Sequence, residues 1–411
     1  QGQRLNLDYD TYGGHPYLSR VHQSDGETLL RIERAPGRNS VVLSFNPDIS
    51  DQPGPSYTLH LDAEGKLERF ELPTDEKATW AFDYRKIRDM WCVVEMRTPM
   101  GGVERLEYAD GGHHFPTSAN RPTLPRVTRH LRHPTADGDP VDIRYQYCMD
   151  AQRPDARNFL GYELNYSWLD DGLDYLYQHR GDYRYGTIET YWTNDGNGSP
   201  RALRSINRHY NRYHLLVLEQ TSQGEAVARQ TISYNLHDDT DFDQQPATCQ
   251  LPIETQYSWW LTSASSEVYH EKESRTYDHQ GNLRTLTRRD GVQEISEYYP
   301  AEGEDGEEGV CPPHPEGFVS YLKRQVTIPV AGPGNAATLV KRFDYRTLPA
   351  LRDPERADLA DWHTVTQERT LQLDNQQEVE LTRHEYTYVN DIDIPFLHGR
   401  VVMKVTTRDF L

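Results

Sequence analysis

The sequence predicts an all-β chain, an extended antiparallel β-sheet of hairpin repeats. Three observations carry this: apolar and polar residues alternate with period two, Asp- and Gly-bearing turn signals separate the runs, and one turn pattern recurs. Its clearest copy is Tyr277-Asp278-His279-Gln280-Gly281-Asn282-Leu283, in which an aromatic residue leads into Asp, two residues follow, and Gly opens a second apolar run. An Asp that binds backbone two residues on, with a Gly taking positive φ at the exit, closes a short hairpin loop.

Along the chain, Asp10-Thr11-Tyr12-Gly13 after Leu5–Tyr9 reads as the first echo, and Asp62-Ala63-Glu64-Gly65 as the second. Trp80, Phe82 and Tyr84 alternate around Ala81 and Asp83, predicting a strand. Asp110-Gly111-Gly112 reads as a turn, followed by strands over Val141–Met149 and Tyr162–Trp168. Further turns are expected at Asp195-Gly196, Gln223-Gly224 and Asp290-Gly291. Ala301–Gly309 and Ala331–Ala337 read as exposed loops. Leu351–Trp362, with its Asp353-Pro354 start, is the one helical candidate. Leu373-Asp374-Asn375-Gln376-Gln377 keeps the Asp of the repeat without its Gly. No internal domain boundary stands out, so residues 1–411 read as one repeat segment, with 1–200 the more degenerate part.

Composition fits such an array. Only 36% of residues are hydrophobic, yet 27 Tyr, 10 Phe and 7 Trp supply wide apolar faces with polar edges. Mean hydropathy is −0.86, which suits sheets with much water-facing surface. The formal charge of −20 repels phosphate backbones and anionic lipid, which disfavours nucleic-acid binding; Arg126, Arg129 and Arg132 read as a solvated strand face. Cys92, Cys148, Cys249 and Cys311 lie far apart, so no disulfide framework is implied. No apolar run reaches the length of a membrane span. No signal peptide is evident, and both ends read as cut from a longer polypeptide.

Candidate chemistry is sparse. His113-His114 lacks a local third ligand and reads as a polar turn. Cys311-Pro312-Pro313-His314 has ligand-type residues three apart, but no second half-site follows. Asp238–Asp243 and Asp391-Ile392-Asp393 lack the spacing of a calcium loop and read as solvated acidic loops. Trp259-Trp260 offers ring faces that suit a sugar or, more simply, a strand core. No nucleophile elbow, phosphate loop, zinc-protease or dinucleotide motif occurs. The expectation is no enzyme, no catalytic residue, no cofactor and no metal. The residues singled out are structural turn formers: Asp10, Gly13, Asp62, Gly65, Asp278 and Gly281.

The Tyr-Asp-x-x-Gly-Asn-Leu unit resembles the YD repeat of the Rhs family, the shell proteins of bacterial polymorphic toxins and insecticidal toxin complexes. The stretches flanking it extend the likeness: Asn207–Leu216, Gln245-Pro246-Ala247 and Leu251-Pro252 before it, then Glu297–Ala301, Cys311–Phe318 and Tyr321–Gln325 after it. The resemblance is most specific over residues 200–410. It implies a β-sheet that curls into part of a hollow shell enclosing a C-terminal toxin domain. The implied partners are the remainder of the shell, the enclosed toxin, and a secretion apparatus or toxin-complex subunits, with no nucleic acid and no membrane span. Synthesis in a bacterial cytoplasm and export within a larger toxin are likewise implied.

Two departures qualify what carries over. The family's Asp-Pro-x-Gly autoprotease motif is absent, since Asp353-Pro354-Glu355-Arg356 does not match it, and no toxin module is expected within residues 1–411. No catalytic residue transfers. A carbohydrate-binding or adhesive β-repeat protein is the alternative reading, and a glycosidase with carboxylates from separate strands is a third.

Overall fold

Period-two patterning becomes strand after strand in the computed structural model. The structure describes residues 5–408 apart from 25, 50–53, 121–122, 136–137, 139, 150–156, 166, 170, 195–197, 265–267, 307–308, 333–335, 353–360, 375–376 and 395. Among these residues there is no α-helix, only three short 3-10 turns. Twenty-four strands make an antiparallel sheet that is not closed into a barrel.

The chain divides into two compact units. One comprises Arg4–Ala228 and Leu261–Ala264. Its strands are β1 (Leu5–Tyr12), β2 (His15–Gln23), β3 (Thr28–Arg34), β4 (Ser40–Phe45), β5 (Ser56–Leu61), β6 (Leu67–Glu71) and β7 (Thr79–Ile87). They continue as β8 (Met90–Arg97), β9 (Val103–His113), β10 (Leu124–His133), β11 (Val141–Gln146), β12 (Arg184–Asn194), β13 (Pro200–Asn211) and β14 (Leu216–Gln223). Each pairs antiparallel with the next, an up-and-down meander. Strand β15 (Ala226–Tyr234) runs across the boundary between the units.

The other unit comprises Gln1–Gln3, Arg229–Trp260 and Ser265–Leu411. It contains β16 (Pro252–Leu261) up to Trp260, β17 (Tyr269–Tyr277), β18 (Leu283–Thr287) and β19 (Gln293–Tyr298). A small ribbon follows, β20 (Glu304–Gly306) with β21 (Gly309–Cys311). The meander then resumes through β22 (Leu322–Ile328), β23 (Thr338–Leu348), β24 (Trp362–Asp374), β25 (Gln377–Tyr388) and β26 (Val401–Arg408).

No thick aliphatic core forms; burial comes in local clusters. In the first unit Leu176, Tyr183 and Tyr185 pack with Leu164 and Tyr210. In the second, Val326, Val340 and Leu371 lie side by side on β22, β23 and β24, backed by Ile295, Ile328 and Leu373. All four cysteines are free thiols. No helix among the described residues is long and apolar enough to cross a membrane.

Several expectations need correction. Tyr162–Trp168 forms no strand over its described residues. There the Asn158 side-chain oxygen accepts from the Leu160 and Tyr162 N–H groups, and the Tyr183 hydroxyl donates to the Asn158 and Tyr162 carbonyls. Side-chain bonds from Asn158 and Tyr183 thus replace the ladder, while Tyr162 and Trp168 pack against the His114 and Phe115 rings. The strand from Val141 ends at Gln146, and Tyr147 meets the His113 ring edge-on at 4.6 Å. Asp110-Gly111-Gly112 is no turn: it lies inside β9, whose pairing to β10 slips between Leu124 and Arg126. A Cβ on Gly112 would lie 2.3 Å from the Leu124 carbonyl oxygen, so the glycine permits close approach of the strands. The expected loop Ala301–Gly309 contains β20 and the start of β21. The helical candidate lies mostly outside the described residues, as do Asp195-Gly196 and the Asn375-Gln376 centre of the Gly-less echo.

Candidate functional site: the repeated turn and tyrosine cap

The Asp62 and Asp278 loops have the same geometry. In each, the Asp N–H bonds the carbonyl four residues on (Lys66 at 2.9 Å, Asn282 at 3.0 Å), and the Gly N–H returns to the Asp carbonyl. One Asp carboxylate oxygen accepts from the N–H groups two and four residues ahead, all at 2.9 Å. Gly65 has φ +83° and Gly281 φ +90°, the left-handed region that a side chain disfavours. Asn282 adds an amide bond to the second Asp278 oxygen at 3.0 Å and one to the Val319 carbonyl at 2.7 Å. Burial alone would raise the Asp278 pKa; the Asn282 amide and the backbone N–H donors outweigh it and hold the carboxyl below its ordinary value.

Asp10 stands apart. It sits inside β1 opposite Tyr17, and the hairpin turns instead at Gly13-Gly14, with φ +61° and +88°. The expected turn role belongs to the two glycines.

Sequence reading missed a third full copy at Asn211. Its side-chain oxygen accepts from Tyr213 N–H at 2.9 Å and Leu215 N–H at 3.1 Å, and its own N–H reaches the Leu215 carbonyl. The positive-φ position is His214 (φ +58°) rather than Gly, which hid the loop. The Tyr210-Asn211 pair, with Asn in place of Asp, is the signal that finds it. The His214 ring is used: its Nδ1 lies 2.7 Å from the Tyr185 hydroxyl, and its Nε2 meets the Asp174 carboxylate. Thr98 and Gly101 build a related loop, with Gly102 N–H on the Thr98 hydroxyl at 2.9 Å.

A β-bulge follows each full copy at one fixed offset. Leu61 pairs with Leu67 and His60 with Arg69, leaving Glu68 extra. Tyr210 pairs with Leu216 and His209 with Leu218, leaving Val217 extra. Tyr277 pairs with Leu283 and Thr276 with Thr285, leaving Arg284 extra. The same slip occurs opposite Tyr84, Tyr298, Tyr345 and Tyr388. An extra residue disrupts the ladder, bends its strand and increases local twist.

Tyrosines on the following strands cap these bulges. The Tyr84 hydroxyl donates to the Leu67 carbonyl at 2.9 Å, and Tyr108 to Val93 at 2.8 Å. Tyr298 donates to Leu283 at 3.2 Å, Tyr345 to Leu322 at 3.1 Å, and Tyr388 to Val365 at 2.7 Å. Each acceptor immediately precedes an extra residue. Tyr277 makes the corresponding bond to Pro252, at the start of β16, at 3.0 Å. The offset is constant: Arg69 pairs with Ala81, Glu95 with Arg105, Glu254 with Ser274, Thr285 with Ile295, Arg324 with Arg342, and Gln367 with Glu385. In each case the acceptor lies two residues before the first member of the pair, and the tyrosine three after the second. Burial raises the pKa of all six phenols, so they remain hydroxyl donors at neutral pH.

One row of the second unit carries unusual charge. Arg324, Arg342, Arg369 and Arg383 stand directly opposite one another across β22 to β25. Like charges placed so repel. Glu378 offsets this by accepting from Arg324 at 2.9 Å and Arg342 at 2.7 Å, with Glu297 on Arg324, Asp344 on Arg369 and Glu380 on Arg383. Burial would raise the Glu378 pKa, but the bonds from Arg342 and Arg324 hold it below the usual carboxylate value.

The sequence's other candidates find structural partners. His113 is buried against Tyr147 and Phe159, and burial, with Arg126 and His114 nearby, lowers its pKa to about 4. Cys311 is buried and its thiol is pushed up to about 11 by burial and Glu304; the His314 ring meets Phe318 edge-on and lies tilted against Tyr321. Asp393 pairs with Arg352 at 2.9 Å, and Gln245 ties His237 to Thr240 beside the Asp238–Asp243 run. Trp259 stacks on Tyr257, and Arg229 lies over Trp260. Among the described residues, no group of three His, Cys, Asp or Glu side chains is placed to hold a metal.

No family model matches the chain, and no curated protein matches it. Among solved structures, it is similar to the crystal structures of TcdB2-TccC3 and of TcdB2-TccC3-Cdc42, each at 12% identity with a TM-score of 0.30, covering 94% of this chain and 19% of that chain. The chain thus spans about a fifth of the length of those relatives. A porin-like protein from Bacteroides vulgatus matches at 8% identity with a TM-score of 0.11, covering 69% of this chain and 92% of that one. Likeness at these scores describes neither the fold nor the role of the chain, which rest on its own residues.

Proposed function

We propose that this chain is a non-enzymatic wall segment of a hollow β-shell of the Rhs, YD-repeat kind, whose role is to enclose a toxin segment carried by the same larger protein. The observation that carries this reading is the bulge with its tyrosine cap, repeated at one offset on successive hairpins. Bulges repeated at the same end of neighbouring hairpins bend a sheet in one sense, and a sheet so bent rolls into a wall. The caps make each bend permanent, because a carbonyl freed from the ladder finds its donor one strand away. The resemblance of Tyr277–Leu283 and its flanking stretches to YD-repeat shells supports the same role.

Limited proteolysis of the native polypeptide that contains this chain tests the proposal. The expected result is a segment outside the wall repeats that resists protease while the wall is folded and is cut when mild denaturant opens it. Cleavage of every other segment at the rate of exposed chain overturns the container role. Glycan-array binding that is lost on Trp259→Ala would put the adhesive reading in its place.

A further inference from the structure

Between β11 and β12 the first unit leaves the ladder, and the loop 157–164 lies against His113 and His114 at the end of β9 and Tyr183 just before β12. The Tyr183 hydroxyl donates to the Asn158 and Tyr162 carbonyls at 2.8 and 3.0 Å and accepts from the Asn158 N–H at 3.1 Å. The Asn158 amide donates to the His114 carbonyl at 2.8 Å. Phe159 meets the His113 ring edge-on at 5.1 Å, and Tyr162 lies tilted against His114 at 5.2 Å. Glu163 holds φ +75°, a conformation that a residue other than glycine keeps only where its surroundings impose it. Two imidazoles flank these contacts. His113 is buried between Tyr147 and Phe159 and beside Arg126 of β10, and its Nδ1 has no hydrogen-bond partner among the described residues. The His179 ring meets Tyr183 edge-on at 5.9 Å, near Arg212 and Arg157, and Arg157 also lies over the Tyr183 ring at 5.2 Å.

We infer that the loop 157–164 is an acid-released flap: protons on His113 and His179 detach it from β9 and Tyr183, while the Asp174–His214 pair keeps the turn beyond it in place. A proton on either flanking ring adds a cation where arginines already stand and, at His113, leaves a buried N–H without an acceptor. His214 acts in the opposite sense. Its Nε2 faces the Asp174 carboxylate and its Nδ1 the Tyr185 hydroxyl, so a proton there tightens the hold on Tyr175–Gln178, the turn that Asp174 caps. The docked rings bind protons more weakly than a free imidazole does. Burial first, then Arg126 and His114, hold His113 at about 4, and burial, Arg212 and Arg157 lower His179. Because these folded values lie below the free one, the hold on the loop is complete above about pH 6.5 and weakens as pH falls toward about 4. The flap does not depend on the chain being part of a shell.

Hydrogen exchange of the intact chain at about pH 7 and about pH 5.5, corrected for intrinsic rates, tests the flap. Expected is roughly tenfold faster exchange of the Asn158, Leu160, Gly161 and Tyr162 amides at the lower pH, with β4 and β5 unchanged. His113→Phe and His179→Phe keep a ring at each place without a titrating nitrogen, and the double variant should show no acid step. Histidine C2-hydrogen exchange of the unsubstituted chain reads the same two rings directly, and both should titrate below a free imidazole. Loop exchange that is the same at both pH values, a step of full size in the double variant, equal acceleration in β4 and β5, or titration of both rings at the free-imidazole value overturns the inference.

Discussion

The Tyr388 hydroxyl on β25 donates to the Val365 carbonyl on β24 at 2.7 Å, while the Tyr388 backbone faces Val401 across the bulge of the next strand pair. One residue thus secures the bend behind it and sits at the bend ahead. Tyr84, Tyr298 and Tyr345 hold the same double position. Each such tyrosine therefore ties together the strands on both sides of its own.

Removing single caps should loosen the sheet locally. Tyr298→Phe and Tyr388→Phe each leave a partly buried carbonyl without its donor, at a cost of about 1 kcal/mol. Hydrogen exchange should speed in β18 and β19 for the first and in β24 and β25 for the second. Tyr269→Phe, at a residue 73% exposed, should change nothing. Equal exchange in all three variants would remove the caps from the account.

Gly281→Val should destabilise its hairpin by about 1–3 kcal/mol, because valine must hold φ near +90°. Space is not the obstacle, since the nearest atom to an added Cβ is Leu251 Cδ1 at 3.7 Å. Gly281→Asn, which tolerates the left-handed region, should lose less. Chemical denaturation followed by exchange at β17 and β18 ranks the three proteins; an unchanged midpoint for the valine variant contradicts the turn assignment.

Acid should open the Asp278 loop. Its folded pKa lies below the ordinary carboxyl value, so its contribution is complete above the unfolded pKa of about 4 and is lost as pH falls through the folded value. Protection of the Gln280 and Asn282 amides, corrected for intrinsic exchange, should therefore hold at neutral pH and drop below about pH 4. The Asp278→Asn variant should lack that acid step. A step of the same size in both proteins would assign it to other carboxylates.

Glu378→Gln should cost on the order of 2 kcal/mol, since it weakens charge-assisted bonds to Arg324 and Arg342 and leaves those two directly opposed. Adding Arg342→Thr should restore part of the loss, because it removes one of the repelling charges. A thermal-unfolding cycle of the two single variants and the double variant measures the coupling. Simple additivity would show that Glu378 does not bridge the pair.

Much of the strand pattern was legible in the residues. Trp80, Phe82 and Tyr84 lie in β7, and the Asp62 and Asp278 loops sit where the Asp-x-x-Gly spacing places them. Local chemistry decides such features: an Asp two residues from its donor needs no distant partner. Failures arose where distant groups intervened. Alternation over Tyr162–Trp168 mimics a strand, but Asn158 and Tyr183 claim its backbone. Asp110-Gly111-Gly112 has turn composition, yet close approach of β10 makes it a bulge. Asn211 closes a loop without glycine because Tyr185 and Asp174 give His214 partners in a conformation its type rarely adopts.

The chain's own residues determined an antiparallel array of hairpins and the chemistry of its turns, since alternation and Asx loops act over a few positions. Only the tertiary structure decided which tyrosine serves which carbonyl, because Tyr84 and Leu67, or Tyr388 and Val365, meet only after strand register is set. Register depends on where each ladder slips, and a slip of one residue leaves the local pattern almost unchanged while it moves every later partner. The Tyr277-Asp278 pair therefore joins two levels: its Asp closes a turn that sequence can foretell, and its Tyr faces a bulge that exists only once the neighbouring strand is in place.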